Sequence, residues 1–123
     1  MKLPEIIDHA RFIEMLTAQF PEVPASFDEI VTGLLHCEMG TFARLTEEAM
    51  DNGYFWKVEK YFRFVDQVRK NASPEVENAI DVSYLEWLAF SDYTEARHQA
   101  IKERMPEPLR KILLNIDGSG RWQ

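Results

Sequence analysis

The chain has 123 residues and a single cysteine, so it is sized for one domain and excludes an internal disulfide. Its formal net charge of −7 argues against nucleic acid or an anionic membrane as a direct partner, because both need a positive footprint. Apolar residues at 46% and aromatics at 12% suffice for a packed core, and no apolar run approaches the length of a membrane span.

The first residues lead straight into an amphipathic pattern, without the apolar run of a secretory signal, so a cytoplasmic protein is expected. Glu5–Phe20 reads as the first helix. Ile6, Ala10, Ile13, Leu16 and Phe20 recur at helical spacing, and Phe12 and Met15 widen the stripe. Pro21 and Pro24 end it. Ser26-Phe27-Asp28-Glu29 then has the form of a capping box opening a second helix. Its expected apolar stripe is Phe27, Ile30, Val31, Leu34, Leu35, Phe42, Leu45 and Ala49, with Glu38 inside the stripe rather than opposite it. Gly33 and Gly40 are costly in a helix and predict either a close helix approach or a break near Gly40. Asp51-Asn52-Gly53 is a stop.

Gly53–Asn71 is the third predicted helix, inward through Tyr54, Val58, Tyr61, Phe62, Val65 and Val68. Its other side carries Trp56, Lys60, Arg63 and Gln67, an aromatic beside two cations, as in a cation–π arrangement or a contact site. Ser73–Asp92 is predicted to be the central helix. Ser73 caps it, Pro74 fits its first position, and Glu75 and Glu77 suit the positive end of its dipole. At 100° per residue, Val76, Ile80, Trp87 and Phe90 share one dense face, and Tyr84, Leu88, Leu85 and Val82 continue around the cylinder. Tyr93–Arg104 is a shorter helix with Ala96, Ala100 and Ile101 inward, and Leu109–Ile116 a last one anchored by Leu109, Ile112, Leu113 and Ile116. No stretch alternates like a strand. The expected fold is therefore all-α, a bundle of five to six antiparallel helices, with a short helical-repeat stack as the alternative. Residues 1–117 form the expected domain and 118–123 a flexible Gly/Ser tail with Trp122 near its end.

Chemistry-bearing motifs are few. Cys37 lies at the edge of an apolar stripe and is expected to be a buried, inert thiol. The adjacent His36 points about 100° away, so the two cannot pair by themselves. Glu95-Ala96-Arg97-His98 has the spacing of di-iron bundle ligands but occurs once, so no metal and no cofactor is expected. Glu38 and Glu86 both sit on apolar helices. Together with Asn78 and Ser83 they are predicted to form a buried polar cluster, either a structural network or, as a lesser alternative with His36, an acid–base centre.

The segments Leu34-Leu35-His36-Cys37-Glu38-Met39-Gly40-Thr41-Phe42, Lys60-Tyr61-Phe62 and Asn78-Ala79-Ile80-Asp81-Val82-Ser83-Tyr84-Leu85-Glu86 resemble a family of small, uncharacterised bacterial helical proteins, over roughly Asp28 to Phe90. Small acidic helical proteins of this kind resemble immunity proteins of contact-dependent or polymorphic toxin systems. The resemblance implies a non-enzymatic cytoplasmic protein that blocks the active site of a cognate toxin, in the first instance a basic nuclease domain. It carries over no binding residue, since immunity proteins share no common motif. From charge and amphipathic placement, the expected contact residues are Asp28, Glu29, Glu47, Glu48 and Asp51 as phosphate mimics, with Trp56 as aromatic anchor. The alternative is a helical adaptor or regulatory domain that binds a cellular protein.

Overall fold

The computed structural model describes residues 5–90 and 94–116. The expected tail 118–123, together with Asp117, the Ser91–Asp92 helix end, Tyr93 and the side chain of Phe90, lies outside the described residues. The elements are α1 (His9–Gln19), a 3₁₀ turn (Pro24–Ser26), α2 (Leu35–Asp51), α3 (Phe55–Lys70), α4 (Pro74–Ala79), a π segment (Ile80–Leu85), α5 (Glu86–Phe90), α6 (Glu95–Arg104) and α7 (Glu107–Ile116). α4, the π segment and α5 run on as one rod. The fold is an all-α bundle, and among the described residues the sole β-type pairing is a bridge between Ile7 and Ala72.

Local chemistry explains most boundaries. Asp8 caps α1 by accepting from the Arg11 N–H, Ser73 caps α4 from the Val76 N–H, and Thr94 caps α6 from the Arg97 N–H. α2 stops at Asp51, and Gly53 takes the positive φ of 76° that the turn into α3 demands. α1 is shorter than its periodicity suggests. Residues 5–7 lie outside the helix, because Ile7 donates its N–H to the Asn71 carbonyl at 2.8 Å and accepts from the Ser73 N–H at 2.9 Å. Ile6 is thereby left exposed, and the buried face of α1 is Phe12 and Leu16.

The expected capping box does not form. The Ser26 hydroxyl donates instead to the Glu22 carbonyl, and Phe27 is extended. Asp28 is the better acceptor here: its carboxylate takes the N–H groups of Ile30 and Val31 at 2.9 and 2.8 Å. Residues 28–33 become a turn, with Gly33 at φ 90°, and α2 begins only at Leu35. Ile30 and Leu34, expected inside, are exposed.

The core is aromatic at its centre. Phe42 of α2 meets Tyr61 edge-on at 5.1 Å and Tyr84 at 5.0 Å, and Phe20 closes on Tyr61 at 4.9 Å. The rod from 74 to 90 does lie at the middle, packed chiefly on α2. Val76, Ile80, Tyr84, Leu85 and Leu88 are fully buried, whereas Trp87 is 48% exposed. The π segment explains the difference. Its wider turn accommodates one extra residue, which rotates the remainder of the rod by about 100° relative to an even helix. Leu88 thus takes the inward place that unbroken periodicity assigns to Trp87. The buried Tyr84 hydroxyl meets the Thr46 Oγ1 at 2.8 Å, and Thr46 itself donates to the Phe42 carbonyl. Arg69 of α3 grips Asp81 with two hydrogen bonds, 2.8 Å from Nε and 2.9 Å from a terminal nitrogen, and also reaches Glu77 at 3.2 Å. Asp81 holds the Arg69 guanidinium above its ordinary pKa through these bonds.

Candidate functional site: a cleft beside the π segment

The altered register has a second result. Val82 and Trp87, which an even helix would bury more deeply, flank an open cleft of about 450 Å³ against α2, lined by His36, Gly40, Val82, Ser83, Glu86 and Trp87. Gly40 is a helix-interior glycine whose added Cβ would meet no atom within 4 Å. Neither the break nor the close helix approach expected there exists. A glycine costs a helix interior about 1 kcal/mol relative to alanine, and here what it leaves is space in the cleft.

The cleft is held rigidly. The His36 Nδ1 and Ser83 Oγ are 2.6 Å apart, joining the start of α2 to the π segment. The Trp87 indole N–H donates to Glu47 at 2.6 Å. Glu47 in turn lies 3.7 Å from the Arg97 guanidinium, which also pairs with Asp51, so α2, α5 and α6 share one polar network. The Glu86 carboxylate, half-buried at the cleft wall, has no hydrogen bond or ion pair among the described residues. A concave, mostly apolar surface with a rigid indole and one unneutralised acid suits a cationic side chain with a long apolar stem.

The structure divides the expected site residues. Glu47 and Asp51 are engaged internally by Trp87 and Arg97, so they do not stand as free phosphate mimics. Asp28 is spent on the turn that replaces the capping box, while Glu29 and Glu48 are exposed. Trp56 is 60% exposed on α3, beneath the Lys60 ammonium at 5.3 Å from its ring.

The predicted buried cluster of Glu38, Asn78, Ser83 and Glu86 does not assemble. Glu38 is buried as expected, but its carboxylate accepts from the His9 ring at 2.6 Å and from the Gly33 N–H at 3.1 Å. Asn78 is exposed, Ser83 partners His36, and Glu86 lines the cleft. The four lie on different turns of two rods, and helical spacing alone does not say which neighbours face them. Cys37 is exposed rather than buried, since the start of α2 turns that side of the helix to solvent. Sequence reasoning missed the cleft itself. Its signal was Gly40 within a strong helix, opposite a serine on an otherwise apolar one.

Away from the cleft, Tyr61 donates to Glu22 at 2.7 Å and Lys57 lies 3.4 Å from the same carboxylate. Burial pushes the Glu22 carboxyl up, but the Tyr61 hydrogen bond and Lys57, with a backbone bond, outweigh it and hold Glu22 below its ordinary value. Burial, then Glu22, drives the Tyr61 phenol strongly upward. Among the described residues, no group of three or more His, Cys, Asp or Glu is placed to hold a metal ion. No helix among them is long and apolar enough to cross a membrane.

Residues 13–120 match the family described as Domain of unknown function (DUF7674), and the chain belongs to that family. No curated protein and no solved structure matches the chain.

Proposed function

We propose that the chain is a non-enzymatic binding protein of the immunity kind, which sits in the cytoplasm and neutralises a cognate bacterial toxin by covering its active site. The toxin in this reading is a basic nuclease domain. The observation that carries the reading is the cleft beside the π segment, where the free carboxylate of Glu86 lies between Val82 and Trp87 in a protein of net charge −7. A lysine or arginine of the toxin enters with its stem along Val82 and Trp87 and its head on Glu86. The overall charge steers the encounter, and the buried pair sets how long the complex lasts. Trp87 is pre-positioned by Glu47, which lowers the ordering cost of binding.

Co-expression with the toxin domain encoded beside this chain tests the proposal by growth rescue and by copurification. Rescue is expected from the native chain and lost in Glu86→Lys and Val82→Glu, both of which leave the core untouched. Failure to protect against any neighbouring toxin refutes the function. Full rescue by both variants refutes the cleft as the contact.

One observation favours a second reading. Ser83 and His36 are in hydrogen-bond contact inside the same cleft, the relation of a nucleophile to its base. A hydrolase of this design loses turnover of activated esters in Ser83→Ala, whereas a binding protein shows none to lose.

A further inference from the structure

A second cleft, of about 400 Å³, lies between the end of α1 and α3 and shares no residue with the first. Its floor is apolar: Phe20 and Phe64 pack edge-on at 5.5 Å and are nearly buried. Its rim is Gln19, Lys60, Arg63 and Gln67. Among the described residues no carboxylate pairs with Lys60, whose partner is the face of the exposed Trp56 at 5.3 Å. Among the described residues Arg63 has only Glu59, 4.0 Å away, with its own side chain 74% exposed. The side-chain amides of Gln19 and Gln67 make no hydrogen bond within the described residues. In a protein with 21 acidic and 14 basic side chains, two under-neutralised cations and two unengaged amides on one rim are a local reversal of sign.

We propose that this rim binds an extended acidic peptide segment of a partner protein. Trp56, Lys60, Arg63 and Gln67 have a 4-3-4 spacing and so share one face of α3. At 1.5 Å per residue that face runs about 16 Å. A small carboxylate would use a fraction of it, while about five residues of extended chain match it. Carboxylates of the segment meet Lys60 and Arg63, the two glutamine amides meet its backbone, and an apolar residue covers Phe20 and Phe64. Single-stranded nucleic acid also pairs anions with aromatics, but it needs successive exposed rings on which its bases stack, and of Phe20, Phe64 and Trp56 the first two are nearly buried and Trp56 alone is open.

The test is fluorescence anisotropy of a fluorescein-labelled pentaglutamate peptide titrated with the full chain, beside a pentalysine peptide and an oligothymidine. The net charge alone opposes pentaglutamate binding, so any saturable binding reports a local site. Expected are saturable, salt-sensitive binding of pentaglutamate and a loss of about tenfold or more in Lys60→Glu/Arg63→Glu. Gln19→Ala/Gln67→Ala should weaken binding several-fold without changing its salt dependence. Circular dichroism checks that each variant keeps its helices, and the milder Lys60→Ala serves if the charge reversal does not. No binding of pentaglutamate, equal binding by the rim variants, or tighter binding of oligothymidine each overturns the proposal.

Discussion

The Nε2 of His9, the first residue of α1, lies 2.6 Å from Oε1 of Glu38 in α2, while the second oxygen of that carboxylate accepts from Gly33. One buried side chain therefore fastens both the start of α1 and the turn at 28–33 to the helix that carries the cleft. Glu38→Ala removes both bonds that the buried carboxylate accepts, from the half-buried His9 ring and from the exposed Gly33 N–H, and should cost about 1–2 kcal/mol in urea unfolding. Glu38→Gln keeps the shape and should cost less. Equal losses would show that shape, not the charge-assisted bonds, is what counts.

Gly40→Ala separates stability from binding. Nothing lies within 4 Å of the new Cβ, so the helix gains its propensity without a clash, about 0.5–1 kcal/mol in thermal or urea unfolding. Gly40→Leu fills the cleft and should abolish rescue while the protein stays folded. A destabilised Gly40→Ala would contradict the open space described beside α2.

Arg69→Lys cannot reproduce the paired bonds to Asp81. The expected loss is about 1 kcal/mol, together with faster amide hydrogen exchange at residues 80–85 than elsewhere in the rod. Unchanged exchange there would mean that α2 alone holds the π segment.

Acid should protonate Glu22 later than an ordinary carboxylate. Its folded pKa lies below the ordinary carboxylate value of 4.5, so the stability it contributes is complete above that pH and is lost as the pH falls through the folded value. Glu22→Gln removes this loss, so the acid limb of the stability curve below about pH 4.5 should flatten. Tyr61→Phe should flatten it partway, because Lys57 remains. Parallel acid limbs in the native chain and both variants would contradict the assignment.

Cys37 is exposed at the start of α2, so a disulfide reagent should titrate one thiol per chain without denaturant. A thiol that reacts only in urea would place it inside.

The features legible in the sequence divide from the rest on physical grounds. Phe12, Leu16, Val58, Tyr61, Phe62, Val65 and Val68 are inside because a 3.6-residue period and a hydrophobic side chain suffice to place them. The cap at Ser73 and the turn at Gly53 are equally local. Three features needed more than local information. Asp28 displaced the capping box at Ser26 because its carboxylate takes the Ile30 and Val31 N–H groups and holds as a turn the stretch that the box needs as a helix. Ile7 left the helix for a partner far along the chain, at Ala72. Trp87 turned outward because the π segment inserts a residue, and no periodicity in the sequence announces that. The candidate cleft depends on the last of these, so its elements were visible while its assembly was not.

The pairing of Ile7 with the loop ahead of α4 sets a rule for anyone rebuilding this molecule. The two bonds fix the chain at one register while Asp8 begins the next helix immediately afterwards, leaving no slack between knot and coil. A single residue spliced between Ile7 and His9 must either unfasten the knot or unwind the first turn of the coil.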